Sequence, residues 1–149
     1  MTVTESMNMS EKAGELRGSR QITVNESAED YLETILVLRN SLGMVRSIDI
    51  VNEMNYSKPS ISIAMKKLRE SGFITVDGSG YISLTEEGMR IAEKTYAKHK
   101  VLQACLEALG VEPVLAAEEA CHIEHVIDDD TCQKICNFYH EFMEQKIKD

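Results

Sequence analysis

The sequence predicts a mainly α-helical fold: an N-terminal winged helix-turn-helix with a two-stranded wing, followed by a second, wholly helical half. Three observations predict it. Apolar residues recur at helical spacing from Tyr31 to Leu68. Between Phe73 and Leu84, two short β-rich runs flank Asp77-Gly78-Ser79-Gly80, the pattern of a hairpin. After Thr85 the helical period returns and persists almost to the end of the chain.

The elements follow in order. Residues 1–25 carry no sustained period and are expected to form a flexible tail. Asn25 or Ser27 is the candidate cap of the first helix, with Glu29 and Asp30 in its first turn, where the helix dipole favours negative charge. Tyr31, Leu32, Ile35, Leu36 and Leu38 give its apolar face, and Gly43 ends it. A short second helix, Ser47 to Met54, is expected to turn Ile48, Val51 and Met54 inward. Asn55-Tyr56-Ser57 breaks it, and Ser57-Lys58-Pro59-Ser60 starts a third helix, since proline is tolerated in a first turn. Ile61, Ala64, Met65 and Leu68 form the buried stripe of that helix. Beyond the hairpin, Thr85-Glu86-Glu87-Gly88 starts a long helix that Gly110 stops, and two more helices are expected over Val114–Ile127 and Thr131–Lys146. The expected domains are a winged helix over 26–90 and a helical domain over 91–149.

Composition narrows the class. A chain of 149 residues that is 43% apolar can bury a core, as one domain or as two small ones. No apolar run approaches the roughly 18 residues that span a bilayer, so no membrane partner is expected. The N-terminus lacks the apolar core of an export signal, and a cytoplasmic location is expected. There the four cysteines should be thiols, with Cys132 and Cys136 read as small buried apolar residues.

The net charge of −9 argues at first against nucleic acid, but it is unevenly spread. Arg46 to Glu70 holds five basic and three acidic residues, net +2, whereas Ile91 to Asp149 holds six basic and twelve acidic, net −6. In a winged helix-turn-helix the third helix enters the major groove and the hairpin lies along the backbone or in the minor groove. The start of that helix carries Ser57, Lys58, Pro59, Ser60 and Ser62, mostly short or cationic residues that allow close approach to phosphates and base edges. Arg46, Lys66, Lys67 and Arg69 supply further positive charge for phosphates. A winged helix used only for protein contacts is the competing reading.

The stretch Glu118 to Asp130, EEACHIEHVIDDD, crowds metal-type ligands into a few residues. On a helix, Cys121, Glu124 and His125 stand at i, i+3 and i+4 and share one face. Thiolate, carboxylate and imidazole together suit a borderline first-row divalent ion. Glu118, Cys121, His122 and His125 form a second stripe at similar spacing; the first is preferred because it crowds Ile123 and Val126 less. Asp30 and Glu33 place two carboxylates on one face of the first helix, and His99 lies in the long helix. A zinc protease is excluded by spacing, because His122-Ile123-Glu124-His125 fits neither protease motif. No nucleophile constellation or phosphate-binding glycine loop points to an enzyme.

Taken in order, Ser27-Ala28-Glu29-Asp30-Tyr31-Leu32-Glu33-Thr34-Ile35, the winged helix with Ser57-Lys58-Pro59-Ser60, Lys98-His99 and Cys121-x-x-Glu124-His125 resemble the diphtheria toxin repressor and manganese transport regulator family of metal-dependent bacterial repressors. The resemblance covers residues 26 to 145. It implies a homodimer, a helical dimerisation domain, an operator in double-stranded DNA, and repression of iron or manganese uptake genes promoted by divalent metal bound between the domains. It implies Asp30, Glu33, His99, Cys121, Glu124 and His125 as ligands, with Fe(II) or Mn(II) as the metal. Asp30 with Glu33 resembles the manganese branch, and Cys121 the iron branch, where the manganese branch has glutamate. Gln103 and Ala117 stand where the iron branch has the acid and histidine of an ancillary site. The chain ends at Asp149, so the SH3-like third domain of longer members is expected to be absent. The alternative is a winged-helix regulator that responds to redox through Cys121 rather than to metal.

Overall fold

The computed structural model of the protein describes residues 26–148. The expected tail over 1–25 and the cap at Asn25 lie outside these residues. The elements are α1 (Glu26–Leu42), α2 (Ser47–Met54), α3 (Lys58–Glu70), β1 (Ile74–Val76), β2 (Ile82–Leu84), α4 (Glu86–Ala108), α5 (Pro113–Val126) and α6 (Asp129–Lys148). The fold is the expected one, mainly helical with a two-stranded antiparallel wing.

Local chemistry sets each boundary. Ser27 lies inside α1 and does not cap it. Asn55 ends α2 in the left-handed region, with φ 56°, where asparagine is better tolerated than most residues. Ser57 caps α3 by accepting the Ser60 N–H, and Pro59 follows in the first turn. Asp77 nucleates the wing turn by accepting the backbone N–H groups of Ser79 and Tyr81. Thr85 caps α4, accepting from the Gly88 N–H and donating to the Gly72 carbonyl. Gly88 itself lies against the backbone just before β1: a Cβ there would sit 2.0 Å from the Phe73 carbonyl oxygen.

The core lies under the winged helix. Leu32, Ile35, Leu36 and Leu38 of α1 meet Ile50, Ile61, Met65, Leu68, Ile74 and Ile82, with Ile91 and Ala92 closing it from α4. Val45, which the sequence pattern did not single out, is also buried; its carbonyl accepts the Ile82 N–H at 2.7 Å and adds a bridge to the wing. One expectation for α2 fails. Ile48 is 44% exposed, and Ile50 is the buried residue. Three branched apolar residues within four positions offer two possible inward faces, and docking into the core shared with α1 and α3 selects the one through Ile50.

The helical half has a thinner core, in which Leu102, Ala116, Ala120 and Cys132 are buried. Lys94 and Lys98 both pair with Asp129 and tie α4 to the start of α6. Leu109, Val114, Leu115, Phe138, Phe142 and Ile147 are left exposed. Among the described residues, no helix is long and apolar enough to cross a membrane.

Candidate metal centre and DNA-reading face

Helix α4 leads from the wing into the helical half, and α5 folds back along it. That return brings the ligand face of α5 against the start of α1, some ninety positions earlier in the chain. Two groups of side chains result. Asp30, Cys121 and His125 form one triad, and Glu33, His99 and Glu124 form another; in each, one ligand atom per residue lies within 4.8 Å of the other two. The six residues expected as ligands are the members of these two triads.

The contacts are specific. Cys121 Sγ donates to Asp30 Oδ1 at 3.8 Å, and His125 Nε2 stands 3.9 Å from the same oxygen. His99 Nδ1 is 2.8 Å from Glu124 Oε2 and 4.0 Å from Glu33 Oε1. His125 Nδ1 is 2.9 Å from Glu29 Oε2, a partner that the sequence did not announce. A glutamate in the first turn of a helix reads as a dipole partner, and nothing in its spacing points across the fold. The rival stripe is not assembled, because Glu118 and His122 are both exposed.

Burial gives the cluster its chemistry. Glu124 is 1% exposed and Glu33 8%. Burial pushes the Glu33 carboxyl up to about 8, and the neighbouring Glu124 carboxyl adds to the rise. Burial also raises Glu124 and Asp30 above the usual carboxylate range. For His125, burial opposes the charged ring, but the neighbouring Cys121 side chain, the hydrogen bond to Glu29 and the charge of Glu124 outweigh it and hold the ring up to about 10.

These residues fit a divalent transition metal. Glu33 Oε2, Glu124 Oε1 and His125 Nε2 are buried without a hydrogen-bond partner. Such atoms are costly unless something satisfies them. Two carboxylate oxygens and an imidazole nitrogen, beside a thiol, make the donor set of a borderline first-row ion.

On the other face, Arg46, Ser57, Lys58, Pro59, Ser60, Ser62, Lys66, Lys67 and Arg69 are all exposed. Ser57 and Ser60 are partly engaged, since the Ser57 hydroxyl donates to the Ser60 hydroxyl at 2.8 Å. The Arg46 guanidinium lies over the Tyr81 ring, 4.2 Å from its centroid, and so links the start of α2 to the wing.

A winged helix joined to a helical half through buried carboxylates, imidazoles and a thiol defines a class: a DNA-binding regulator that answers to metal. Residues 23–81 match the family model described as "Iron dependent repressor, N-terminal DNA binding domain", and residues 85–147 match "Iron dependent repressor, metal binding and dimerisation domain". The chain belongs to this iron-dependent repressor family, which includes the manganese regulators, and it is a metal-dependent transcriptional repressor.

Individual relatives agree. The chain is 29% identical over 136 residues to the transcriptional regulator MntR of Salmonella typhimurium, covering 91% of this chain and 87% of that one. It is 30% identical over 124 residues to an uncharacterised HTH-type transcriptional regulator of Methanocaldococcus jannaschii, covering 82% and 99%. Among solved structures, the manganese regulator SloR superposes with a TM-score of 0.68 at 28% identity, covering 80% of this chain and 55% of that one. A manganese-dependent transcriptional repressor in complex with manganese gives 0.67 at 27%, covering 72% and 50%. This chain thus spans about half the length of those solved structures. The comparisons lend no support to a redox switch at Cys121.

Proposed function

We propose that this repressor controls genes for iron or manganese uptake, and that Fe(II) or Mn(II) held by Asp30, Glu33, His99, Cys121, Glu124 and His125 activates it for operator binding. The observation that carries the reading is the position of the two triads between α1 of the winged helix and α4 and α5 of the helical half. We take the DNA-binding domain as residues 26–90 and the metal-binding and dimerisation domain as 91–149.

When bound, a divalent cation supplies positive charge against the clustered carboxylates and a fixed coordination geometry. The protein's own groups do the rest. Asp30 and Glu33 present their carboxylates from α1, so the position of the winged helix depends on where those carboxylates are held. Cys121, Glu124 and His125 present theirs from α5, and His99 from α4. With the halves drawn together, the orientation of α3 relative to the dimer is restricted. In a dimer two such helices must land one DNA turn apart, roughly 34 Å. Moving an orientation equilibrium from mostly off to mostly on takes about 5.5 kcal/mol of differential binding. Two multidentate sites per subunit are adequate to that.

On DNA, Lys58, Lys66, Lys67 and Arg46 would neutralise phosphates, while Ser57, Pro59, Ser60 and Ser62 allow the start of α3 to approach base edges. The exposed apolar side chains of α5 and α6 suit a homodimer interface. Supporting the metal assignment, a relative's structure is described as a complex with manganese, and the family description names iron. Cys121 favours a softer ion than an all-oxygen position would.

The test is an anaerobic anisotropy titration on DNA selected by the protein from random sequence, with Mn(II), with Fe(II) and with chelator. Tight binding only with metal supports the reading. Equal binding in all three conditions refutes it.

A further inference from the structure

We infer that Glu29 is a positioning residue for this centre: its carboxylate takes the Nδ1–H of His125 and so presents Nε2 of that ring to the metal. The inference rests on the metal reading above and assigns a role to a residue outside both triads.

The geometry is direct. Glu29 Oε2 lies 2.9 Å from His125 Nδ1, and the His125 side chain is 2% exposed. On the other side of the ring, Nε2 has no hydrogen-bond partner. It faces Glu124 Oε1 at 3.4 Å and Asp30 Oδ1 at 3.9 Å. A neutral imidazole carries one hydrogen, and a carboxylate at Nδ1 holds it there, leaving the Nε2 lone pair free. Metal-binding histidines are commonly held in this way, which fixes both tautomer and ring orientation. Because the two ring nitrogens point apart, a carboxylate at Nδ1 is not itself a ligand to an ion at Nε2.

The chain positions make this more than a local brace. Glu29 belongs to α1 and His125 to α5, so the bond crosses between the two halves. Glu29 and Asp30 are neighbours about 100° apart around the helix. One reaches Nδ1 while the other stands near Nε2. Glu29 therefore sets how His125 is placed relative to Asp30, the residue from the opposite half that shares its triad.

The test uses full-length protein loaded anaerobically with Co(II), whose paramagnetism shifts the ring N–H protons of bound histidines far outside the normal proton window. In the wild-type protein the His125 Nδ1–H should appear as a slowly exchanging resonance, identified by histidine-selective ¹⁵N labelling. In Glu29→Ala it should be lost to solvent exchange, and Co(II) should bind roughly 10- to 100-fold more weakly. Glu29→Gln, whose carboxamide oxygen still accepts the hydrogen, should keep the resonance and lose less affinity. A merely structural role predicts a lower melting temperature of the metal-free variants without this exchange signature. Wild-type affinity with the resonance intact in Glu29→Ala overturns the inference. So does a Glu29→Gln variant that behaves like Glu29→Ala. Should the alanine variant fail to fold, Glu29→Gln decides alone: the resonance retained supports the inference, and lost overturns it. Wild-type protein that takes up no Co(II) removes the metal reading and this inference together, whereas wild-type binding matched by Glu29→Ala removes this inference alone.

Discussion

Glu124 Oε1 lies 3.4 Å from His125 Nε2, and neither atom has a hydrogen-bond partner. The two residues are adjacent on α5, yet each belongs to a different triad. The triads therefore share a wall, and Glu124 faces both. Replacing it should affect metal binding more than replacing any residue that touches one triad alone.

Glu124→Gln is the informative substitution, since it keeps the volume and removes the charge. A buried carboxylate without a full set of partners opposes folding. The metal-free variant should melt no lower than the wild type, while Mn(II) affinity should fall by more than the roughly 100-fold upper range of outer-shell changes. Melting in chelator and metal titration by calorimetry check the two halves of this statement. A variant that melts lower and binds normally would assign Glu124 a packing role.

The pH dependence follows from two groups. Glu33 is raised from 4.5 to about 8, and His125 from 6.5 to about 10. In each case the folded protein holds a proton that the unfolded chain has released, so the stability these groups contribute falls as pH rises. For Glu33 the window is 4.5 to about 8, and for His125 it is 6.5 to about 10. Metal-free protein should therefore lose melting temperature across neutral pH, and Glu33→Gln should flatten the lower part of that slope. Metal binding runs the other way. Ligands must shed protons to coordinate, so affinity should rise between about pH 5.5 and 7.5 and protons should be released. Calorimetry in buffers of different ionisation enthalpy counts them. A flat profile would contradict the proposed ligand set.

Much of this was legible in the sequence because the signals were local. Thr85, Pro59 and Ser57 mark helix starts by their own hydrogen bonding and φ preferences. The hairpin is announced by its Gly-rich turn. The ligand face of α5 follows from helical spacing. What was not legible depends on docking. Nothing in the spacing around Glu29 tells that it crosses to His125. Val45 is buried by pairing with Ile82 and not by any period of its own. Ile48 and Ile50 are equivalent as a pattern, and only the packing of α2 into the shared core separates them. The pairing of Asp30 with α5 came from resemblance, since no local rule joins residues that far apart.

Gly88 makes a prediction about the scaffold. A Cβ there would overlap the Phe73 backbone, at 2.0 Å from its carbonyl oxygen and 2.9 Å from the carbon. Backbone cannot swing aside as a side-chain tip can. Gly88→Ala should therefore destabilise the protein by at least about 2 kcal/mol, in spite of alanine's better helix propensity. Urea unfolding measures it. A gain in stability would mean that α4 can shift away from β1 at little cost.

Phe138 addresses the dimer. It is 72% exposed on α6, in a half whose core is thin, and an aromatic ring left in water suits burial against a second copy. Phe138→Glu should shift the protein towards monomer in sedimentation while leaving its circular dichroism unchanged. Affinity for a two-half-site operator should fall with it, because one winged helix then reads alone. An intact dimer would place the interface elsewhere on α5 or α6.

On the proposed ligand set, Cys121 should set which metal the first triad prefers. Its sulfur contacts Asp30 and stands with His125, whereas the second triad offers only oxygen and nitrogen. Thiolate favours softer ions over Mn(II), and carboxylate does the reverse. Cys121→Glu should therefore weaken Co(II) and Fe(II) relative to Mn(II) and abolish the near-ultraviolet thiolate-to-cobalt band of the loaded protein. Cys121→Ser should lose the band without gaining Mn(II) affinity, because a neutral hydroxyl supplies neither softness nor charge. Competition titrations between Mn(II) and Co(II) on the three proteins give the ratio directly. If the wild type shows no thiolate band and its ratio matches that of Cys121→Glu, the sulfur is not a ligand. Asp30 and His125 would then hold the ion without it.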